Sequence, residues 1–253
     1  MHYFSRLEST IKSNWDGIAL ANFRGETFTF GELAKQIARF HVFFETVGLK
    51  KGDKVAILLM NCIEYLPIYF GILKTGALAV PLNYRYTAEE IKYCLKLSES
   101  DAIVFGPEFI GRIEQICDQL PAVGHMFYVG EDCPTFADNY EDMIRYCSFE
   151  KPNFDITEDD NAAIYFSSGT TGFPKAILHS HRALMHAALC EQAHHGQTHE
   201  DVFLCIPPLY HTGAKMHWFG SFLVGGRAVL LKGTQPEWII RAVSEENCSI
   251  VWL

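Results

Sequence analysis

The sequence has few positive charges, no closely spaced cysteines and no long apolar run. Its 21 Lys and Arg residues are outnumbered by 30 Asp and Glu residues, which gives a net charge of −9. A protein that binds nucleic acid needs a basic surface to neutralise the phosphates. This charge balance therefore argues against a nucleic-acid partner.

The spacing of the cysteines excludes two further classes of protein. Eight cysteines are present, at positions 62, 94, 117, 133, 147, 190, 205 and 248, and no two are closer than 14 positions. Zinc and redox motifs place two cysteines three positions apart, and secreted disulfide scaffolds are small and rich in cysteine. We expect free thiols in a cytoplasmic protein.

Neither a signal peptide nor a membrane span is predicted. The N-terminal segment Met1–Arg6 lacks a basic stretch followed by an apolar one, and Lys54, Glu64 and Lys74 interrupt the most apolar region. A membrane-spanning helix needs about 20 consecutive apolar residues. The 253 residues, 49% of them hydrophobic, instead predict a soluble globular protein with a large core.

The order of the predicted elements indicates an α/β fold. A hairpin over 18–30 is followed by a helix that ends at Val47, and from residue 53 short apolar segments alternate with helical patterns. Such alternation is typical of doubly wound, mostly parallel sheets. Capping boxes, formed by Thr29 with Glu32 and by Thr87 with Glu90, mark two helix starts. We also predict one helix over 109–120 and a helix from His181 capped by Ser180.

The segment 167–175, Ser-Ser-Gly-Thr-Thr-Gly-Phe-Pro-Lys, directly follows an apolar strand over 162–166. Gly169 and Gly172 permit positive φ and close backbone approach, the hydroxyl groups add donors, and Lys175 supplies a cation, which together suit a polyphosphate. A Walker loop is excluded because Gly and Lys are not adjacent and no helix is predicted after the Lys. The alternative is a polar loop that merely joins two strands.

This segment resembles the signature loop of the adenylate-forming superfamily, which includes acyl- and aryl-CoA synthetases, peptide-synthetase adenylation domains and beetle luciferases. Every fixed position of the pattern Ser/Thr-Ser/Thr-Gly-Ser/Thr-Thr-Gly-x-Pro-Lys is met over 167–175. The segments 73–83 and 28–33 resemble two other parts of the same family. The chain is thus identified as a member of the superfamily, of the acyl-CoA synthetase type. It resembles only the N-terminal portion of these enzymes.

The resemblance implies activation of a carboxylic acid by ATP to acyl-AMP, followed by transfer of the acyl group to coenzyme A. Mg2+ is the implied metal, and the hydroxyl of Ser168 is implied to assist it. The implied contacts to the β- and γ-phosphates of ATP are Ser167, Ser168, Gly169, Thr170, Thr171, Gly172 and Lys175.

A second candidate site is the segment Pro207–Ala214, where two prolines end a strand and Gly213 precedes a helix. It resembles the family motif that lines the acyl pocket and the thiol tunnel. We therefore predict that His211 contacts the carboxylate or gates the tunnel, without acting as a general base. Tyr210, Gly213 and Trp218 are predicted to line the pocket, whereas Lys215 is expected in solvent. A packed histidine in a turn is the alternative for His211.

The resemblance also bears on the substrate, because domains of the family that activate α-amino acids place an aspartate near this segment to pair with the buried ammonium. No Asp or Glu lies between Cys205 and Gly226, which disfavours an amino-acid substrate. A neutral fatty, alicyclic or aromatic acid is favoured. An amino-acid-activating or luciferase-like enzyme remains an alternative, as does a non-catalytic fragment that binds a nucleotide or a partner protein.

The resemblance also implies a division of the chain. A first α/β subdomain over 50–195 would carry the phosphate loop, and 1–49 plus 200–253 would form an incomplete second subdomain. Because the chain ends within an apolar, strand-like segment, we expect truncation, absence of the small C-terminal domain, and no turnover by this chain alone. The edge near 250–253 predicts a homodimer or aggregation.

Eight of the 11 histidines lie between His179 and His217. His195 and His199 are four positions apart, as in some zinc sites, but Gly196 between them predicts a helix end. We favour partly exposed histidines at helix ends over a zinc site.

Overall fold

The computed structural model describes residues 3–22, 25–148, 155–167 and 172–252, and not the side chains of 216 and 217. It is an α/β structure in which nearly every helix follows a strand. The elements in chain order are α1 (Tyr3–Ser13), β1 (Ile18–Asn22), β2 (Thr27–Thr29), α2 (Phe30–Thr46), β3 (Lys54–Leu58), α3 (Tyr65–Lys74), β4 (Leu78–Pro81), α4 (Ala88–Ser98), β5 (Ala102–Phe105), α5 (Ile110–Glu114), β6 (His125–Tyr128), β7 (Asp138–Asn139), α6 (Tyr140–Arg145), β8 (Asn161–Ser167), β9 (Lys175–Ser180), α7 (His181–His195), β10 (Val202–Cys205), α8 (Thr212–Val224), β11 (Arg227–Leu230), α9 (Pro236–Glu245) and β12 (Ile250–Val251).

The strands of the described ranges form two sheets. A seven-stranded sheet has the order β7-β6-β5-β3-β4-β8-β9, and a five-stranded sheet has the order β12-β10-β11-β1-β2. These pairs are parallel except β1 with β2 and β8 with β9, so each sheet carries one antiparallel strand at an edge. This arrangement confirms the predicted fold class of mostly parallel sheets flanked by helices.

The two sheets share one apolar core, which lies between them around α1, α2, α3, α7 and α8. Side chains alternate along each strand, so Val55 and Ile57 of β3 face this core, whereas Ala56 and Leu58 face a second core beneath α4 and α5. A third core lies between α9 and the five-stranded sheet. In the described part of the chain, no helix combines the length and the apolarity that a bilayer crossing requires.

The predicted helix boundaries are confirmed wherever they depended on local capping. Thr29 with Glu32 and Thr87 with Glu90 form complete capping boxes at the starts of α2 and α4. The hydroxyl of Ser180 accepts from the backbone N–H of Ala183 at the start of α7. Pro67 lies in the first turn of α3, where its missing N–H leaves no helical hydrogen bond unmade.

Two expectations about the elements were wrong. The chain begins with a helix before the hairpin, because Tyr3, Phe4, Leu7 and Ile11 bury one face of α1 in the central core. The single helix predicted over 109–120 is instead a short α5 between two 3-10 turns, at Pro107–Phe109 and Cys117–Gln119.

Candidate active site

A cavity of about 780 Å³ lies at the carboxyl ends of two parallel strands, β4 and β8, beside the loop that leads from β10 to α8. Its lining includes Pro81 and Asn83 at the end of β4, Ser167 at the end of β8, and Tyr210 and His211 after β10. Ligands of open α/β sheets gather at the carboxyl ends of the strands. The two segments singled out in the sequence, 167–175 and 207–214, therefore meet at one cavity.

The phosphate-loop segment joins two strands, as predicted, and these two strands are antiparallel. Ser167 ends β8 and pairs with Lys175, the first residue of β9, so the lysine begins a strand and not the helix of a Walker loop. Ser167 and Gly172 line the cavity, and Gly172 has the positive φ of 92° that its role as a loop glycine predicts. The side chain of Lys175 is exposed, and the residue is not part of the cavity lining.

The middle of the loop lies outside the described residues, so four of the predicted nucleotide contacts have no structural account. These four are Ser168, Gly169, Thr170 and Thr171. The assignment of Ser168 to magnesium stays a prediction for the same reason.

His211 lies at the mouth of the cavity. It is the N-cap residue of α8, and its ring packs against that of Tyr210 with the centroids 4.4 Å apart. The ring of Tyr84 in turn contacts Tyr210 edge-on at 5.2 Å, which fixes the aromatic wall at this point. Burial, and secondarily the charge of Arg85, lower the pKa of His211. The imidazole of His211 is therefore mostly neutral at pH 7.

A buried asparagine that was not singled out in the sequence holds the His211 segment in place. Asn61 follows β3, and its amide nitrogen donates to the carbonyl oxygens of Pro207 (3.1 Å) and Leu231 (3.0 Å). Its amide oxygen accepts from the backbone N–H of Leu209 at 2.9 Å. This one side chain thus ties the end of a strand in one sheet to two loops of the other sheet.

The expectation that Lys215 lies in solvent was wrong. Lys215 is 3% exposed, lines the cavity one helical turn after His211, and places its Nζ 4.0 Å from the centroid of the Tyr165 ring. Burial lowers its pKa from 10.5 to about 7. The helical spacing contained the signal, because positions 215, 218, 219 and 222 lie on one face and the last three are Trp, Phe and Phe.

Two residues of the cavity lining, Tyr165 and His179, were missed as site residues. The hydroxyl groups of Tyr165 and Tyr69 share a buried hydrogen bond of 2.8 Å, and His179 packs edge-on against the Tyr165 ring at 5.5 Å. Burial, and then the neighbouring Lys215, lower the pKa of His179. Lys215 is thus bordered by an aromatic face and a largely neutral imidazole.

The structure places two predicted pocket residues away from the cavity lining. Trp218 is fully buried in the central core, with its ring against Phe70 and Phe219. Gly213 lies beneath the ring of Trp252, so closely that a Cβ at position 213 would approach the indole to 2.1 Å. The small size of Gly213 therefore allows this close contact, and its φ lies outside the positive range.

The histidines of α7 whose side chains the structure describes do not form a common site. His181 is buried beside Phe4, whereas His194 and His195 are exposed at the end of α7, where Gly196 ends the helix with a φ of 60° as predicted. His195 pairs with Glu191 at 3.1 Å. Across the described ranges, no group of three or more His, Cys, Asp or Glu side chains could hold a metal ion.

A second cavity, of about 600 Å³, opens near the carboxyl ends of β3, β5 and β6. Its lining has two basic residues, Arg145 and Lys232, and six acidic ones, Glu26, Glu64, Glu108, Glu131, Glu141 and Asp142. Burial and the adjacent Glu64 raise the pKa of Glu141. Such a surface repels phosphates and carboxylates, so an anionic substrate is better matched to the first cavity.

Comparison with known proteins gives one consistent result. The family model described as AMP-binding enzyme matches residues 7–253. The crotonobetaine/carnitine–CoA ligase of Citrobacter koseri is 32% identical over 215 residues, which are 81% of this chain and 41% of the relative. The long-chain-fatty-acid–CoA ligase FadD13 of Mycobacterium tuberculosis is 31% identical over 169 residues, which are 66% of this chain and 32% of the relative.

A solved structure supports the same fold. The anthranilate CoA ligase AuaEII in complex with anthranoyl-AMP superimposes with a TM-score of 0.93 at 24% identity, covering 100% of this chain and 49% of that chain. The chain thus spans only about a third to a half of the length of the proteins that it matches.

Proposed function

The chain belongs to the family of AMP-binding enzymes, and from this premise we propose that the protein carrying it activates a carboxylic acid with ATP and transfers the acyl group to coenzyme A. One observation supports this most. The ends of the phosphate loop and His211 meet at a single cavity at the carboxyl ends of β4 and β8. The relatives named as acid–CoA ligases and the acyl adenylate bound to AuaEII favour the same chemistry.

The proposed reaction has two balanced steps. A carboxylate oxygen attacks the α-phosphorus of ATP, and pyrophosphate leaves to give acyl-AMP. The thiol sulfur of coenzyme A then attacks the acyl carbon, its proton goes to solvent, and AMP leaves. Both steps bring anions together, so the protein has to position the anions and stabilise the charge that develops between them.

The residues at the mouth of the cavity and in the adjoining phosphate loop suit these tasks. The hydroxyl of Ser167 and the backbone around Gly172 offer uncharged donors, and Lys175 at the start of β9 brings a cation within the same loop. His211, neutral at pH 7 because its pKa is lowered, can donate one N–H to the reacting carboxylate. A neutral imidazole orients the carboxylate without the need for a base, since the attacking oxygen carries no proton.

In this proposal Mg2+ binds only together with the phosphates of the nucleotide. The cavity-lining carboxylate of Glu90 accepts from the backbone N–H of Thr87 at 2.8 Å and from its hydroxyl at 2.9 Å, so the capping box uses it. Mg2+ is commonly held by substrate phosphates and water with few protein ligands. We therefore assign no residue of the described chain to the metal.

An amino-acid substrate is the alternative that the cavity disfavours. Lys215 would repel the ammonium group of an amino acid, and Glu90, which could pair with it, is used at the start of α4. A non-catalytic binding fragment is the second alternative. Release of pyrophosphate that depends on an added acid separates an enzyme from a mere nucleotide-binding protein.

Two assays test the proposal. With the complete protein that carries this chain, we expect acid-dependent release of pyrophosphate from ATP, and no acid in a broad panel supporting release would refute the function. With this chain alone, we expect ATP binding by calorimetry without turnover. Lys175→Met should weaken that binding about tenfold, since one charged contact is lost. Lys96→Met, at an exposed position of α4, is the control and should bind as the parent does.

A further inference from the structure

We propose that the cavity selects a dicarboxylic acid, one of whose carboxylates reacts at the mouth while the other is bound by Lys215. This inference rests on the proposed function, because the first carboxylate is the one that would attack ATP. The substrate class differs from the one that the sequence favoured, since a neutral acid was expected.

The burial of Lys215 is the first observation that carries the proposal. Its side chain is 3% exposed, and its Nζ lies 4.0 Å from the centroid of the Tyr165 ring inside the cavity. Lys215 lines the cavity together with apolar side chains of α7, among them Leu184 and Ala187. An ammonium group removed from water in this way requires an anionic partner or loses its charge.

No such partner is present in the described part of the chain. Five other lysines of these ranges form ion pairs with Asp or Glu, namely Lys51, Lys54, Lys74, Lys92 and Lys232. The two least exposed of these, Lys74 and Lys92, pair with Glu8 at 3.2 Å and with Glu89 at 2.6 Å. Lys215 is more buried than either, yet no Asp or Glu of the described ranges pairs with it. The aromatic face of Tyr165 is its one charge-stabilising contact among these residues.

The depth of Lys215 separates it from the reacting centre. His211 and Ser167 lie at the exposed mouth beside the phosphate loop, whereas Lys215 is enclosed by Tyr165 and α7. Lys215 lies four positions after His211, the N-cap residue of α8, which is about one helical turn. A ligand that reaches both therefore carries two anionic groups joined by a short apolar spacer.

A structural role is the competing explanation, in which Lys215 only packs on Tyr165. That role would leave the cavity indifferent to a second charge on the ligand. The monomethyl ester of a diacid has nearly the same shape as the diacid and lacks the second charge. Comparing the two ligands therefore tests the charge of the ligand without a mutation.

Calorimetric titration of this chain with malonate, succinate, glutarate, adipate and the monomethyl esters is the decisive experiment. We expect the best diacid to bind at least tenfold more tightly than its monoester. Lys215→Met should abolish that preference, Lys215→Arg should keep part of it, and Lys96→Met should keep all of it. Equal or tighter binding of every monoester would overturn the proposal, as would an undiminished preference in Lys215→Met or no diacid binding at millimolar concentration.

Circular dichroism and the affinity for ATP show whether each variant is folded, and the comparison in the parent chain stands even if Lys215→Met does not fold. Pyrophosphate release by the complete protein distinguishes the two levels of inference. If monocarboxylic acids are activated in preference to diacids, the dicarboxylate inference fails and the proposed function stands. If no acid supports release while the diacid preference in binding persists, the proposed function fails and the role of Lys215 stands.

Discussion

At the scale of single residues, Lys215 is a group of the cavity whose proton binding changes on folding between about pH 7 and 10.5. Burial in the folded protein lowers the pKa of Lys215 from 10.5 to about 7. In the unfolded chain the side chain lies in water, so its pKa keeps the ordinary value. The charged and titratable groups that line the cavity or adjoin its wall come from several elements, namely Glu90 of α4, Tyr165 of β8, His179 of β9, Tyr69 of α3, and Arg85, Tyr86, Tyr210 and His211 of the loops. None of them supplies a charge that offsets the burial, so Lys215 costs stability in the free protein.

We predict that Lys215→Met stabilises the chain, and does so more at low pH than at high pH. Below pH 7 Lys215 is charged in both the folded and the unfolded state, so the full cost of burying the charge applies. Between pH 7 and 10.5 the folded state has released a proton that the unfolded state still holds, so this cost falls as the pH rises. The gain should be about 5 kcal/mol at pH 6 and about 2 kcal/mol at pH 9. Urea unfolding at the two pH values measures it, with Lys96→Met as the control, and an equal gain at both would contradict the assignment.

A spectroscopic readout separates loss of charge from repacking in this variant. The ammonium of Lys215 contributes to the lowered pKa of His179, after burial. Removing the ammonium should therefore raise the pKa of His179, which proton NMR of the imidazole can follow.

Asn61 is a residue whose loss should destabilise both the fold and the site. Asn61→Ala removes the hydrogen bond to the carbonyl of Pro207 and leaves the carbonyl of Leu231 and the N–H of Leu209 without the Asn61 side chain at a buried position. We expect a cost of about 2 to 4 kcal/mol in the free energy of unfolding, because each unmet buried group is penalised. Urea unfolding tests this against Gln115→Ala, which removes an exposed amide and should change stability by less than about 0.5 kcal/mol. A change as small as that of the control would show that Asn61 is dispensable.

At the scale of elements, local chemistry explains which boundaries the sequence predicted. Helix starts and ends that depend on residues within four positions of each other can be recognised from the sequence alone. These are the caps at Thr29, Thr87 and Ser180 and the helix end at Gly196. The helix α1 was missed although its apolar positions 3, 4, 7 and 11 have helical spacing. Its stability comes from packing against distant elements, as when the hydroxyl of Tyr3 donates to the carbonyl of Phe219.

The loop between β8 and β9 gives a prediction at this scale. Gly172 has a φ of 92°, and no described residue lies within 4 Å of where a Cβ would be placed, so Gly172→Ala would strain the backbone without a clash against these residues. We expect a loss of about 1 kcal/mol in stability and a several-fold weaker affinity for ATP. Gly111→Ala is the matched control, since Gly111 lies in α5 with free space and an ordinary φ. Equal effects of the two substitutions on ATP binding would show that the conformation of Gly172 does not matter.

At the scale of the whole molecule, alternating strands and helices predicted mostly parallel sheets, but not how the sheets meet. The cavity depends on contacts between residues far apart in the chain, such as Asn61 with Leu231 and Lys215 with Tyr165. Periodicity indicates which face of an element is buried, yet it does not show which distant element covers that face. The division into subdomains over 50–195 and over 1–49 plus 200–253 stays a prediction, since one apolar core lies between the two sheets.

The edges of the sheets bear on the predicted self-association. From the sequence, self-association was assigned to the segment 250–253, and β12 does lie at an edge, with Val251 and Trp252 partly exposed. The opposite sheet ends in β9, which is six residues long and exposes Ile177 (45%) and Leu178 (55%). A long, apolar edge strand pairs with another chain more readily than a short one. We therefore expect the chain to self-associate mainly through β9.

Light scattering coupled to size-exclusion chromatography tests this expectation across a range of concentrations. Leu178→Lys should shift the chain towards the monomer, because a charge on an edge strand opposes pairing with a second copy. Val251→Lys places the same charge on β12 and should have the smaller effect. The reverse order would assign the contact to β12, as the sequence alone suggested, and a monomer at every concentration in the parent chain would exclude both edges. If other residues of a longer protein covered β9, the self-association through β9 would be lost. The preference of the cavity for dicarboxylates would remain, so the two properties can be measured independently.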